Sequence, residues 1–313
     1  MKYCFLYPGQ GAQYPGMGKD LWDTYPAVKD LFKTADSVVS YNLEELVFEG
    51  SESDLRATDK QQPAITVVNC AVTVALAENG IESAGTAGFS LGEYSALWNA
   101  GILDTADLFR IVDIRGRFME EASRNLEKDG EETAMAAVIG LGTEEIMGIV
   151  DSLKEKDVYA ANFNSPIQTV LSGRTGGIDA AEKLCDEAGA MRFVRLKVSG
   201  PFHTPIMKEA AENFEEELSK YTFNSPQKKV YSNVSGTQIQ NGDEARRLCV
   251  AQIISPVQWL REEEEILNDG YDRYLETGPG TVLSGLWKSF HKKERCIPLG
   301  TIEKMNAFLS PTT

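Results

Sequence analysis

The stretch Gly88-Phe89-Ser90-Leu91-Gly92 satisfies G-x-S-x-G without gap or substitution, and no other feature of the chain restricts its fold as much. The pattern is that of a nucleophile elbow, a strained turn from strand to helix. Glycine is needed on both sides of the serine because the backbone reverses sharply and the following helix packs close against the strand, leaving no room for Cβ atoms. Small residues lead in (Ala84-Gly85-Thr86-Ala87) and a helix-compatible run follows (Glu93 to Trp98), which favours an elbow over a chance match in a Gly-containing turn. The consequence is a serine lifted out with its Oγ exposed.

With 313 residues, 42% hydrophobic and 25% charged, the chain can bury a large core, as one large domain or two modest ones. A net charge of -16 argues against non-specific binding to nucleic acid or to an anionic membrane surface. Five scattered cysteines without C-x-x-C spacing point to reduced thiols and a cytoplasmic compartment. The apolar run Tyr3 to Tyr7 is broken by Pro8-Gly9, so it reads as a buried first strand and neither as a signal peptide nor as a membrane span. There is no internal repeat and no metal-ligand cluster.

That first strand enters a Gly-rich loop, Pro8 to Gly18, of the kind that brings backbone N–H groups close to a ligand. It has neither phosphate-binding fingerprint, whereas an oxyanion hole needs only one or two such amides. Helices are predicted over 26–38 and 60–79, the second with Pro63 in its first turn. From Thr105 a longer helix keeps Leu108, Ile111, Val112, Phe118, Met119 and Ala122 on one buried face, and Arg115 falls on that face. A guanidinium turned into a core requires an acceptor; a salt bridge to a protein carboxylate and a ligand carboxylate or phosphate are both open. Arg110 and Arg117 read as surface charges.

After the charged stretch 127–132 the texture changes to β-α-β-β-α-β between Thr133 and Val198, with an Asn-Ser-Pro turn in the middle hairpin. This is the split unit of ferredoxin-like domains. Ser199 to Pro205 then forms a rigid connector into a helix over 206–220. Of the two histidines, His203 sits between prolines at a helix entrance, while His291 lies in the basic, exposed-looking run Phe290 to Arg295, so His203 is the better base for Ser90. A strand near 229–234, helices near 243–254 and 257–268, and a strand over 271–276 follow. The run Glu262 to Glu265 reads as a solvated helix face. Alternating strands and helices on both sides of the small unit predict an α/β fold: a hydrolase-like domain of residues 1–127 and 199–313 with a parallel sheet, split by an inserted domain of 128–198.

Taken in order, Tyr7 to Gln13, Gly88 to Glu93, Arg115 to Met119, Asn162 to Pro166, Gly200 to His203, Pro256 to Trp259 and Glu276 to Gly280 make the chain resemble malonyl-CoA:acyl carrier protein transacylases and the acyltransferase domains of polyketide synthases. The resemblance implies a hydrolase-like core, a ferredoxin-like insert and an active site between them. It implies that Ser90 is the nucleophile, His203 its base, and the N–H groups of Gln10 and Leu91 the oxyanion donors. Arg115 would bind the free malonyl carboxylate, Gln252 would orient the histidine through its carbonyl, and Gln62 and Asn162 would lie near the acyl site. Phe202 occupies a position linked to extender choice, where a large ring disfavours a branched methylmalonyl group. One departure stands out: the residue before the nucleophile is usually histidine, and here it is Phe89. The implied reaction moves malonyl from malonyl-CoA to the phosphopantetheine thiol of a holo acyl carrier protein, with no bound cofactor or metal, for fatty acid synthesis. Service to a polyketide synthase, a serine esterase or thioesterase, and a non-catalytic scaffold are the alternatives. A carrier of acidic type would dock on a local basic patch, either Lys288, Lys292, Lys293 and Arg295 or Arg192, Arg195 and Lys197.

Overall fold

The computed structural model describes residues 1–198, 200–291 and 293–310; Ser199 and Lys292, both named above, lie outside the described residues. The chain runs β1 (Tyr3–Tyr7), α1 (Lys19–Thr24), α2 (Pro26–Asp36), α3 (Leu43–Glu49), α4 (Thr58–Glu78), β2 (Ser83–Gly88), α5 (Gly92–Asn99) and α6 (Thr105–Lys128). Next come β3 (Thr133–Ile139), α7 (Thr143–Ser152), β4 (Val158–Ser165), β5 (Gln168–Arg174), α8 (Thr175–Glu187) and β6 (Arg192–Arg195). The remainder is α9 (Lys208–Leu218), β7 (Lys229–Val230), α10 (Gly242–Ile254), α11 (Trp259–Asn268), β8 (Arg273–Glu276), α12 (Val282–Phe290), β9 (Cys296–Pro298) and α13 (Ile302–Leu309).

Two sheets result. The first is five-stranded in the order β7-β2-β1-β8-β9, with every pairing parallel, so β1 is its central strand. Buried on both faces, β1 and β2 carry no polar alternation, as parallel strands covered by helices require. The second is antiparallel in the order β4-β5-β3-β6, the ferredoxin-like arrangement. Its side chains alternate between two cores. Met135, Ala137, Ala161 and Val170 join the main core of the parallel-sheet region, while Ala136, Val138, Ala160 and Leu171 pack under α7 and α8. A backbone link adds to that packing, because Phe163 N donates to Val257 O and Val257 N donates to Ala161 O, each at 2.9 Å.

Several elements differ from the sequence reading. Helix α4 begins two residues early, which puts Pro63 in its second turn; the carbonyl that Pro63 leaves free, that of Asp59, lies 3.4 Å from the Tyr41 hydroxyl. The helix expected over 206–220 opens as a short 3₁₀ turn, Pro205–Met207. Strand β7 is two residues long, and β4 runs through the expected Asn-Ser-Pro turn to Ser165. The five cysteines are free and buried. No helix among the described residues is long and apolar enough to cross a membrane.

Candidate active site

Parallel pairing puts the ends of β1 and β2 side by side, Tyr7 opposite Gly88, so the two loops that leave them face each other above the sheet. Such crevices at strand C-termini are where α/β folds bind ligands. The elbow is built on steric necessity. A Cβ on Gly88 would lie 2.0 Å from Gly92 C, and one on Gly92 would lie 2.1 Å from Tyr7 O. Between them Ser90 is held at φ 50°, a left-handed conformation that a residue with a Cβ adopts only under constraint. Gly88→Ala is therefore expected to destabilise the protein by at least the ~1–3 kcal/mol of an overpacked core. Thermal and urea unfolding of that variant check this.

His203 reaches the same point from across the inserted elements. Its own φ is 61°, so both partners carry backbone strain. Ser90 Oγ lies 2.8 Å from His203 Nε2, and His203 Nδ1 lies 2.8 Å from the main-chain oxygen of Gln252. A carbonyl only accepts, so Nδ1 carries the proton and Nε2 is left to accept from the serine hydroxyl. Among the described residues no carboxylate occupies the place that a Ser-His-Asp triad would give one; the Gln252 carbonyl stands there. Burial first, and the Arg115 guanidinium second, push the His203 pKa down to about 4. The ring is accordingly mostly neutral, and competent as a base, from about one pH unit above that value upward. Its NMR titration is expected to show no midpoint between pH 8 and 5; a midpoint near the ordinary 6.5 would refute the assignment.

Arg115 is fully buried on α6, as its helical face predicts, and Arg110 and Arg117 pair on the surface with Asp107 and Asp113. Its acceptors are two amide oxygens, Gln62 Oε1 at 2.8 Å from Nη1 and Gln252 Oε1 at 2.9 Å from Nη2. The Tyr94 ring lies beneath it at 5.2 Å, and Nε has no acceptor among the described residues. Of the two partners open at the sequence level, a protein carboxylate is thus absent from its described contacts.

The other expected residues fall around this centre in different ways. The position of a Cβ on Gly9 would be 2.3 Å from Phe89 O and 3.5 Å from Leu91 N, which brings the Gly9–Gln10 backbone beside the elbow. Neither the Gln10 nor the Leu91 main-chain N–H has an acceptor among the described residues. The Gln10 side chain donates to Gln61. Asn162 is buried and bridges to Val257, and Phe202 is buried next to Gly200. Phe89 meets Trp259 edge-on at 5.4 Å, so an aromatic cluster takes the ring at this departure from the usual histidine.

Two expectations fail. Glu262 and Glu263 are fully buried rather than solvated: Asn233 Nδ2 donates to Glu262, and Trp259 Nε1 donates to Glu263. His291 is not an exposed basic residue either, since its side chain is 7% exposed, 3.1 Å from Glu263 and packed on Trp287. Sequence reasoning also missed Glu93 and Asn233, which sit directly behind the serine and are linked to it through Gln252. For Glu93 a signal existed, a charged residue in an otherwise small and apolar helix start. Asn233 had none.

Acyl groups are what a base-activated serine of this kind accepts, which places the chain among serine-dependent acyl-transfer enzymes on an α/β scaffold. The profile of the family described as "Acyl transferase domain" matches residues 4–306. Among curated proteins, the malonyl CoA-acyl carrier protein transacylase of Bacillus subtilis is 39% identical over 96% of this chain and 94% of its own. That of Escherichia coli K12 is 40% identical over 92% of each. An acyl carrier protein S-malonyltransferase from Vibrio cholerae superposes with a TM-score of 0.92 at 35% identity, covering 98% of this chain and 100% of its own. A solved complex described as a type II polyketide acyl-carrier protein with its malonyl-transacylase superposes with a TM-score of 0.93 at 35% identity, covering 99% of both chains. The chain belongs to the malonyl-CoA:acyl carrier protein transacylase family.

Proposed function

We propose that the protein transfers malonyl from malonyl-CoA to the phosphopantetheine thiol of an acyl carrier protein through a malonyl ester on Ser90, supplying fatty acid synthesis. The observation that carries the choice of acyl group is Arg115, a buried cation held by two neutral amides with N–H capacity to spare for a bidentate carboxylate.

His203 Nε2 takes the Ser90 proton as Oγ attacks the thioester carbonyl. Negative charge gathers on the carbonyl oxygen, where the free N–H groups of Gln10 and Leu91 would receive it; one such donor is worth roughly 2.7–4 kcal/mol of barrier. The imidazolium then protonates the departing CoA thiolate. In the second half-reaction His203 deprotonates the carrier thiol, which attacks the malonyl ester and frees Ser90. Gln252 keeps the imidazole in one tautomer throughout. The Arg115 charge lowers the basicity of His203, so a carboxylate docked on Arg115 relieves that effect and strengthens the base when the right acyl group is bound.

The divided-domain reading, 1–127 with 199–313 around 128–198, fits this chemistry because the pair Ser90 and His203 closes a site against the inserted sheet. A cleft of about 530 Å³, lined by His203, Tyr159, Phe163, Pro205, Ile254 and Pro256, opens beside the base and falls in the size range of small-molecule sites. For carrier docking, exposed Lys288, Lys293 and Arg295 are better placed than the Arg192 patch, where Arg195 is already engaged by Asp179 and Glu182.

Incubation with malonyl-CoA followed by intact-protein mass measurement tests the reading. A single malonyl adduct that holo carrier protein discharges is expected. Rapid CoA release without any acceptor would mean hydrolysis, and neither adduct nor turnover would mean a scaffold.

A further inference from the structure

Gln252 meets the reacting groups through different atoms. Its main-chain oxygen holds His203, and its side-chain oxygen accepts from Arg115 Nη2. The side-chain nitrogen points the other way, toward three oxygens: the Ser90 main-chain carbonyl at 3.0 Å, Asn233 Oδ1 at 3.0 Å and Glu93 Oε2. The two ends of an amide have nearly the same shape and opposite polarity, so its surroundings decide which end meets the guanidinium. Asn233 is held by donating Nδ2 to Gly88 O and Glu262 Oε1, each at 2.7 Å. Glu93 takes the Asn233 N–H on Oε1 at 3.3 Å, which leaves Oε2 for Gln252.

We infer that Glu93, three positions after the nucleophile, is a positioning residue for acyl-group selection: its carboxyl group pins the Gln252 amide with the nitrogen inward and the oxygen on Arg115. The inference rests on the malonyl-transfer reading above. A reversed amide would set an NH₂ group against the guanidinium, displacing the cation from the place where the substrate carboxylate must find it. Cost points the same way. Glu93 is fully buried in the first turn of α5 and forms no ion pair among the described residues, so an apolar side chain there would be cheaper to bury. Burial first drives its pKa up to about 7, while the bonds from Gln252 and Asn233 pull it back.

Three variants test this, each read by single-turnover loading of Ser90 with malonyl-CoA and with acetyl-CoA, alongside its melting temperature. In Glu93→Gln the new nitrogen has to face either Gln252 Nε2 or the Asn233 N–H, both donors, and turning Gln252 relieves the conflict. Malonyl loading is expected to fall at least about tenfold, the lower end of the range for one hydrogen bond to a charged group, and chiefly through KM. Acetyl loading changes much less, so the malonyl-to-acetyl ratio drops. Glu93→Asp keeps a carboxyl group and restores part of the ratio. Glu262→Gln can place its new nitrogen where the partnerless Oε2 stands while its oxygen still accepts from Asn233, so it leaves the ratio unchanged. A wild-type ratio in Glu93→Gln, an equal loss of both acyl groups, or the same shift in Glu262→Gln would overturn the inference. A wild-type protein that loads neither acyl group would overturn the malonyl-transfer reading itself, and the inference with it.

Discussion

Ser90→Ala is expected to take up no malonyl group and to lose roughly 10⁴–10⁶-fold of turnover, the range over which a serine nucleophile is felt when its base is left in place. The loss is chemical rather than structural. Ser90 Oγ has one described hydrogen bond, to His203 Nε2, and alanine meets the left-handed backbone at 90 with no larger side chain than serine. The melting temperature should therefore stay within a few degrees of wild type, a shift of about 1 kcal/mol or less for a chain of this size. Intact mass after malonyl-CoA exposure and the rate of free CoA release give the two readouts. An adduct that survives the substitution would move the nucleophile elsewhere; the five cysteines, all buried, offer no ready substitute.

Arg115→Ala is expected to invert acyl preference. Malonyl loading should fall about 10²- to 5 × 10³-fold, corresponding to the ~3–5 kcal/mol lost when one partner of a desolvated charge pair is removed. Acetyl-CoA has no carboxylate to lose and should load as well as before or better, because the wild-type guanidinium is left without its bidentate partner when acetyl is bound. A second readout is independent of substrate. Arg115 is the next contributor after burial to the low His203 pKa, so its removal should raise that pKa. As the pH falls, His203 in the variant should therefore become protonated, and inactive as a base, earlier than in wild type. An unchanged malonyl-to-acetyl ratio together with an unchanged His203 titration would remove Arg115 from the site.

The parts of this fold that obey a period were legible. The 3.6-residue spacing put Arg115 on the buried face of α6, and strand and helix order disclosed the antiparallel unit before any contact was known. What stayed hidden has partners far along the chain. Glu262 and Glu263 stand in an acidic run that locally resembles any solvent face, but Glu262 is claimed by Asn233, 29 residues earlier, and Glu263 by His291, 28 residues later. Ser90 and His203 were legible as a pair, and Gln252 joined them only through what the family resemblance implies. The hydrogen bond that gives the Gln252 side chain its polarity crosses 159 residues to Glu93, a distance over which no spacing rule operates. Strands β7 and β9 are too short to carry a pattern of their own and exist because a neighbour is there to pair with.

The central place of β1 sets a schedule for the cell. It leaves the ribosome before both of its partners: one of its edges pairs with β2, but the other waits for β8, which ends at Glu276. At about 5–20 residues per second, the growing chain carries an unpaired apolar edge for some ten seconds or more. Nascent chains stalled short of residue 273 should therefore recruit holdase chaperones and aggregate on release, whereas chains extended past β9 should not.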